Sequence, residues 1–255
     1  MRYEILGPLR VTRDGEEYSL SAHKTEILFA VLLVRANQVV SADQLLTELW
    51  DGELPHRACA GLYVYISQLR KFLTRIGKSK SPIQTRSPGY LLNVGPEEFD
   101  LFQFQRAVMR GRRQTEAGQA AEGARSLEEG LALWRGMPLG GLRGGPIVRG
   151  FAIWLEEARL ECIELLVKAQ FLEGRHAEVV TRLYSLIADY PLRESFYQML
   201  MLALYRSNRP ADALRVYQQA RARIIEEIGL EPSRAMRDLH QAILLDDAEL
   251  ARVLP

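Results

Sequence analysis

The residue types that carry out catalysis are present in this chain but are not arranged for it. The four histidines are scattered, at His23, His56, His176 and His240. The two cysteines, Cys59 and Cys162, lie far apart and form no CxxC pair, which disfavours a zinc site and a disulfide framework. The chain also contains no GxxxxGK(S/T) phosphate loop and no GxSxG nucleophile elbow. We therefore predict no catalytic residues, no metal, no cofactor and no enzymatic activity.

The chemistry that the sequence does favour is the binding of a polyanion. Residues 54–96 contain no Asp or Glu, although acidic residues make up one-eighth of the chain. The same segment contains seven basic residues, Arg57, Arg70, Lys71, Arg75, Lys78, Lys80 and Arg86. Uniform positive charge repels itself unless an anion offsets it. A solvated basic helix and loop would also fit the charge pattern, but its extent favours a surface for a phosphate backbone.

Short strands followed by three helices are predicted around this basic segment. Alternation predicts strands at 3–6, 9–12 and 16–20, with Asp14-Gly15 as a hairpin turn. Helical spacing follows from Ala22 to about Asn37. Ser41 then resembles the N-cap of a second helix, with Gln44 as its capping-box partner. A third helix is predicted at about 57–74, and two strands, 83–86 and 90–93, flank a tight turn at Ser87-Pro88-Gly89.

The third helix has an apolar face and a polar face. Leu62, Ile66, Leu69 and Leu73 recur at helical spacing and are predicted to face a core. A helix-turn-helix followed by a β-hairpin is a winged helix, which places its third helix in the major groove of DNA and its wing along the adjacent backbone or minor groove. The residues predicted to contact DNA are Arg57, Val64, Tyr65, Ser67, Gln68, Arg70, Lys71 and Arg86.

Each of these residue types suits a particular part of the duplex. Gln68 can present its amide to adenine, Ser67 can bond a base or a phosphate, and Val64 can touch a thymine methyl. Arg70 and Lys71 suit phosphates, and a guanidinium at the wing tip can enter a narrow minor groove. Tyr65 has two interpretations, a phosphate contact through its hydroxyl or a partly buried helix aromatic.

The rest of the chain is predicted to be all-α. Helical periodicity appears at 99–113, 117–135, 148–173, 176–190, 193–207, 211–228 and 233–245, with a Gly- and Pro-rich interruption at 136–146. Similar helix breaks at 174–178 and 208–212 are 34 residues apart, which is the tetratricopeptide period, and a displaced copy lies at 118–122. The fold prediction is an α+β winged helix at 1–95 followed by an all-α tetratricopeptide-like domain at 96–255.

The longest apolar run is eight residues, 27–34, so no transmembrane helix is predicted. The N-terminus has no long apolar segment of the secretory type, and we expect a cytoplasmic, nucleoid-associated protein.

Several segments together resemble the streptomycete antibiotic regulatory protein (SARP) family. In the first part they are 35–41 (RANQVVS), 45–50 (LLTELW), 64–70 (VYISQLR) and 85–92 (TRSPGYLL). In the second part, 191–194 (PLRE), 200–206 (LMLALYR) and 227–232 (EIGLEP) resemble the family's bacterial transcriptional activation domain. The similarity covers both domains in family order and matches the short, two-domain members.

The resemblance implies a function beyond what spacing shows. It implies a transcriptional activator that binds direct repeats near the −35 element, associates with itself on DNA and recruits RNA polymerase holoenzyme, including its sigma factor, to antibiotic biosynthesis genes. The loop before the third helix is then a candidate polymerase contact through Asp51, Glu53 and His56, although Gly52 and Pro55 also suit a simple turn. The alternatives are a DNA-binding repressor and a tetratricopeptide-type interaction scaffold.

Overall fold

The computed structural model describes residues 1–50, 54–77 and 81–246. The chain forms two compact units. The first unit comprises Met1–Met109 and Glu128–Cys162, and the second comprises Arg110–Leu127 and the described residues from 163 to 246. The domain boundary predicted near residue 95 stays a prediction, because the compact units are defined by packing and the first of them includes residues from the helical part of the chain. No helix in the described ranges is long and apolar enough to cross a membrane.

The first unit opens with a small antiparallel sheet. Its strands are β1 (Arg2–Glu4), β2 (Arg10–Arg13) and β3 (Glu16–Tyr18), in that order across the sheet. Asp14 and Gly15 both have positive φ angles, 52° and 87°, as a tight hairpin turn requires. The predicted sheet is confirmed. Strands β1 and β3 are shorter than predicted, and β2 has the predicted length but begins one residue later.

Three helices follow the sheet, α1 (His23–Val34), α2 (Ala42–Trp50) and α3 (Ala58–Gly77). The predicted capping box at the start of α2 is present, since the Gln44 amide donates to Ser41 Oγ over 3.2 Å and the Ser41 amide donates to Gln44 Oε1 over 3.1 Å. The four residues predicted to face the core from α3, Leu62, Ile66, Leu69 and Leu73, are all buried. The helix therefore has one face in the core and the opposite face outward.

The wing is a three-stranded sheet. Its hairpin, β5 (Ile83–Arg86) and β6 (Gly89–Leu92), pairs through β6 with β4 (Val39–Ser41). The sequence did not reveal β4, because three residues are too few to establish an alternating pattern. A Cβ atom at Gly89 would lie 1.9 Å from the carbonyl oxygen of Val40, so only glycine permits this approach of the two strands.

Seven further helices complete the described chain. They are α4 (Asp100–Glu116), α5 (Ala120–Leu131), α6 (Pro146–Leu172), α7 (His176–Asp189), α8 (Glu194–Arg206), α9 (Pro210–Ile228) and α10 (Arg234–Leu244). A 3-10 turn, Pro138–Gly141, occupies the glycine-rich interruption. The predicted winged helix followed by a helical domain is confirmed as the fold class.

The repeated helix breaks of the second unit share one backbone design. Gly118, Gly174 and Asn208 each have a positive φ angle, between 56° and 79°. In each break the amide of this residue donates to the carbonyl three residues earlier, and the next amide donates to the carbonyl five residues earlier, with N···O distances of 2.8 to 3.1 Å. This is the Schellman motif, which satisfies the last carbonyls of a helix and reverses the chain. The next helix then begins two residues after the break.

A buried carboxylate joins the start of α4 to the N-terminal sheet. Asp100 Oδ2 accepts hydrogen bonds from the amides of Ile5, at 2.9 Å, and Leu6, at 3.0 Å. Burial raises the pKa of Asp100 to about 6, although the two amide hydrogen bonds oppose the rise. Nearby, the amide of Arg135 donates to the Leu6 carbonyl over 2.7 Å and that of Leu139 to the Ile5 carbonyl over 2.9 Å. The turn after β1 is therefore bonded to both α4 and the glycine-rich segment.

A second buried carboxylate joins α2 to α6. Glu48 is only 3% exposed, and its oxygens accept from the amides of Ile147 at 2.5 Å and Val148 at 3.3 Å, at the N-terminus of α6. The first amides of a helix have no partner within the helix, and the helix dipole favours a negative charge there. Gly145 permits the approach, because a Cβ atom on it would lie 2.7 Å from Glu48 Cα.

We expect Glu48→Ala to destabilise the first unit by about 1–3 kcal/mol, because it leaves the buried amides of Ile147 and Val148 without an acceptor. Urea unfolding followed by circular dichroism measures the change. Thr47→Ala, at an exposed position on the same helix, is the control and should be close to neutral. Equal stability of Glu48→Ala and the wild type would show that this carboxylate does not support α6.

Candidate nucleic-acid interface

The outward face of α3 is exposed. Val64 is 52% exposed, and Ser67, Gln68 and Lys71 are exposed beside it. Their spacing of three and four residues places them on one side of the helix, opposite the buried leucines. The same face includes Tyr63, which is 65% exposed and which the sequence reasoning did not select. Its position four residues before Ser67 places it on this face, and that spacing could have identified it from the sequence.

The amide of Gln68 is oriented by a residue of α1. Thr25 is buried, and its hydroxyl donates to Gln68 Oε1 over 3.2 Å. An amide oxygen has two lone pairs, so one remains to accept a further bond, and the NH2 group remains to donate. The arrangement therefore restricts the Gln68 side chain without using up the groups that a bidentate contact with adenine requires. Nothing in the local sequence pattern indicates this role of Thr25.

Arg70 connects α3 to the wing. Its Nε donates to the Ile83 carbonyl over 3.3 Å, and a terminal nitrogen donates to Thr85 Oγ1 over 2.8 Å. The guanidinium carbon also lies 5.7 Å from the centroid of the Tyr90 ring. The structure thus gives Arg70 a positioning role within the protein, whereas its predicted phosphate contact stays a prediction.

The tip of the wing is exposed and polar. Arg86 is exposed, and its Nε and a terminal nitrogen donate to Gln84 Oε1 at 3.2 and 3.1 Å. The turn beyond it contains a cis peptide bond between Ser87 and Pro88, and both residues are exposed. Among the described residues, the Arg86 guanidinium is bonded only to this neighbouring side-chain amide, so its charge stays available to an anion.

Tyr65 is half-buried and packs on Trp50 at the end of α2. The two ring centroids are 6.2 Å apart, and a Cβ atom at Gly61 would come within 3.2 Å of the same indole. The Trp50 ring is also contacted by Lys24, whose Nζ lies 4.7 Å from the ring centroid. Of the two interpretations of Tyr65, the packing contact is present, and a phosphate contact through the hydroxyl stays a prediction.

The electrostatic character of this surface comes from cations without acidic partners. Within the described residues, no carboxylate forms an ion pair with any of Arg57, Arg70, Lys71, Arg75 or Arg86. Elsewhere arginine is commonly paired, as where Arg221 meets Glu231. Unneutralised positive charge on an exposed helix and hairpin raises the local concentration of a polyanion.

Parts of the predicted site fall outside the described residues. Asp51, Glu53, Lys78 and Lys80 belong to those parts of the chain, and their predicted roles stay predictions. His56 is described and is exposed, two residues before α3 begins. In the described ranges, no group of three or more His, Cys, Asp or Glu side chains is placed to hold a metal ion.

Comparison with known proteins assigns both parts of the chain. Residues 99–244 match the family described as bacterial transcriptional activator domain, and residues 15–92 match the family described as transcriptional regulatory protein, C terminal. The chain is 32% identical to regulatory protein DnrI of Streptomyces peucetius, covering 99% of this chain and 95% of DnrI. It is 35% identical to transcriptional regulator RedD of Streptomyces coelicolor, covering 96% of this chain and 71% of RedD.

Two longer proteins contain a region of the same kind. The chain is 34% identical to regulatory protein AfsR of Streptomyces coelicolor, covering 99% of this chain but 25% of AfsR. The solved structure of Mycobacterium tuberculosis EmbR in complex with a low-affinity phosphopeptide is similar with a TM-score of 0.90 and 30% identity, over 96% of this chain and 65% of the EmbR chain. With the winged-helix surface in place and both family matches in the same order, the chain belongs to the SARP family of DNA-binding transcriptional activators.

Proposed function

We propose that this protein activates transcription of secondary-metabolite, antibiotic-type biosynthesis genes by binding direct repeats near the promoter −35 element and recruiting RNA polymerase holoenzyme. One observation carries the proposal, namely an exposed face of α3 that lies beside the wing and has cations but no acidic residue over the whole segment 54–96. The family membership supports activation over the other uses of a winged helix. No catalytic step is part of the proposed function.

In this proposal α3 lies in the major groove. Gln68, pre-oriented by Thr25, reads an adenine, while Val64 contacts a thymine methyl group and Ser67 bonds a base edge or phosphate. Arg57, Lys71 and the half-exposed Tyr65 supply backbone contacts, which position the helix without reading sequence. Arg86 enters the adjacent minor groove from the wing tip, with Arg70 supporting the wing.

Direct repeats require neighbouring protomers to bind in the same orientation. Such an arrangement is heterologous, because the surfaces that meet on two adjacent protomers differ. Self-association on DNA is therefore part of the proposal. The polymerase contact is assigned to Asp51, Glu53 and His56, since this segment directly precedes the DNA-reading helix and its two carboxylates suit a basic patch on sigma.

The decisive experiment is footprinting of the purified protein on the intergenic DNA beside its own gene, with and without polymerase holoenzyme, followed by transcription from the same template. We expect protection of repeats in one orientation next to the −35 element, and more transcript when the protein is added. Asp51→Ala combined with Glu53→Ala should keep the footprint and lose most of the added transcript. A footprint with less transcript would indicate a repressor, and the absence of any footprint would favour the scaffold alternative.

Specific binding should depend on Gln68 and Arg86. We expect Gln68→Ala to weaken binding to the protected site by about 1–3 kcal/mol and to relax sequence preference, because a base contact is lost. Arg86→Ala should also weaken binding, through the loss of a minor-groove contact. Gel-shift titration on the protected site and on a scrambled site measures both effects, and unchanged affinity in both variants would remove these residues from the interface.

Thr25→Val tests the orienting hydrogen bond without altering the DNA surface. We expect a smaller loss of specific affinity than for Gln68→Ala, about 0.5–1.5 kcal/mol, because the amide is still present but is no longer restrained. In Gln68→Ala protein, the added Thr25→Val change should have no further effect on specific binding, because the two residues act together. Additive losses would show that Thr25 acts through another contact.

Lys71 should contact phosphate. We expect Lys71→Ala to lower affinity equally on specific and scrambled DNA and to reduce the slope of log affinity against log salt by about 1. Arg143→Ala, at an exposed basic position in the glycine-rich segment, is the charge-matched control and should leave both quantities unchanged. A loss confined to the specific sequence would mean that Lys71 reads a base.

A further inference from the structure

A cleft opens between α3 and the wing. It has a volume of about 290 Å³, and residues of α2, α3 and the wing line it. Two of its lining residues, Leu46 and Leu62, are buried and make its inner surface apolar. The residues that bring hydroxyl groups to it are Tyr63 on α3 and Thr85, Ser87 and Tyr90 on the wing. The cleft therefore combines an apolar interior with several groups that can donate hydrogen bonds.

The hydroxyl groups of the cleft are available to a ligand. Thr85 Oγ1 accepts a hydrogen bond from Arg70 over 2.8 Å, so the hydroxyl hydrogen of Thr85 remains to donate. Tyr63 is 65% exposed, and within the described residues neither its hydroxyl nor that of Ser87 forms a hydrogen bond. Burial raises the pKa of Tyr90, and the neighbouring phenol of Tyr63 adds to the rise while Arg70 opposes it. The Tyr90 phenol is therefore protonated at neutral pH, as a donor must be.

This combination of groups matches a sugar–phosphate chain. The oxygens of a phosphodiester accept hydrogen bonds and donate none, and the deoxyribose carbons beside them are apolar. Among the described residues that line the cleft there is no carboxylate to repel the phosphate, and the whole segment 54–96 lacks acidic residues. Hydroxyl side chains are among the groups by which proteins bind phosphate oxygens of DNA without reading its sequence.

The position of the cleft indicates which part of the duplex it receives. When α3 lies in a major groove and the tip of the wing lies in the adjacent minor groove, the DNA strand that separates the two grooves has to pass between α3 and the wing. The cleft lies between these same two elements, and the bonds from Arg70 to Ile83 and Thr85 connect them. It is therefore continuous with the surface proposed to contact DNA.

We propose that this cleft holds the sugar–phosphate chain of the DNA strand between the two grooves, with Tyr63 donating its hydroxyl to a phosphate oxygen. The proposal rests on the proposed function, because it requires bound DNA. It adds a contact of a different kind from that of Lys71, since a neutral hydroxyl holds a phosphate without releasing a counterion. Tyr63 thereby contributes affinity that depends on neither the DNA sequence nor an ion pair.

Tyr63→Phe removes the hydroxyl and keeps the ring. In gel-shift titrations we expect it to weaken binding about 3- to 10-fold, equally on the protected and the scrambled site, because a phosphate contact carries no sequence information. The slope of log affinity against log salt should keep its wild-type value, in contrast to Lys71→Ala. Tyr184→Phe, at an exposed position on α7, is the matched control and should bind as the wild type does. Unchanged affinity of Tyr63→Phe, or a loss confined to the protected site, overturns the proposal.

Single methylphosphonate substitutions in the DNA locate the phosphate that Tyr63 contacts. Each substitution replaces one phosphate oxygen by a methyl group and removes its charge. On the DNA strand between the two contacted grooves, we expect a position at which the substitution weakens binding of the wild type but has a much smaller effect on Tyr63→Phe, because the contact is already absent in the variant. Equal effects on the two proteins at every position would show that Tyr63 contacts no phosphate.

Cys59 reports whether the cleft is occupied, because it lines the cleft and is exposed, whereas the other cysteine, Cys162, is buried. Alkylation of Cys59 by N-ethylmaleimide, followed by mass spectrometry, should slow about tenfold or more when DNA is bound, since reaction requires access to the thiol. Millimolar inorganic phosphate alone should not slow it, and slowing by phosphate would assign the cleft to a free phosphate instead. Unchanged alkylation in a complex that still gives the footprint overturns this inference alone, whereas the absence of any footprint overturns the proposed function as well.

Discussion

The first unit depends on hydrogen bonds that two buried carboxylates accept from backbone amides. Glu48 caps the N-terminus of α6, and Asp100 binds the amides of the turn after β1. Both use the same physics, since amides without a partner in their own element need an acceptor and a carboxylate supplies it without a competing donor. These bonds join residues far apart in the chain. They connect the strands and helices of the winged helix to the start of α4 and the start of α6.

On the surface proposed to contact DNA, some residues position their neighbours and others remain available to a ligand. Arg70 connects α3 to the wing, and Thr25 orients Gln68, while Lys71 and Arg86 stay exposed. A rigid support for a few exposed polar groups lowers the entropy lost when they order against a ligand. The arrangement accounts for a surface that combines several internal hydrogen bonds with unneutralised charge.

Much of the fold could be predicted from the sequence because it is encoded locally. The buried face of α3 follows from the spacing of Leu62, Ile66, Leu69 and Leu73, and the start of α2 follows from Ser41 and Gln44. The contacts that could not be predicted connect distant positions. Strand β4 exists because β6 lies beside it, and neither Thr25 nor Glu48 carries a local signal for the partner it binds. The exposed face of the site was therefore predictable, whereas its supports were not.

The close crossing at Gly89 has a consequence for how this family of regulators can diversify. The wing is placed by backbone contact between β6 and β4, where a Cβ atom would lie 1.9 Å from the Val40 carbonyl oxygen. This placement does not involve the exposed side chains of Gln84, Arg86 and Ser87. In the proposed complex with DNA, substitutions at Gln84, Arg86 and Ser87 therefore alter which promoter sequences are preferred while the hairpin keeps its place, so that new regulatory targets can evolve here without a redesign of the scaffold.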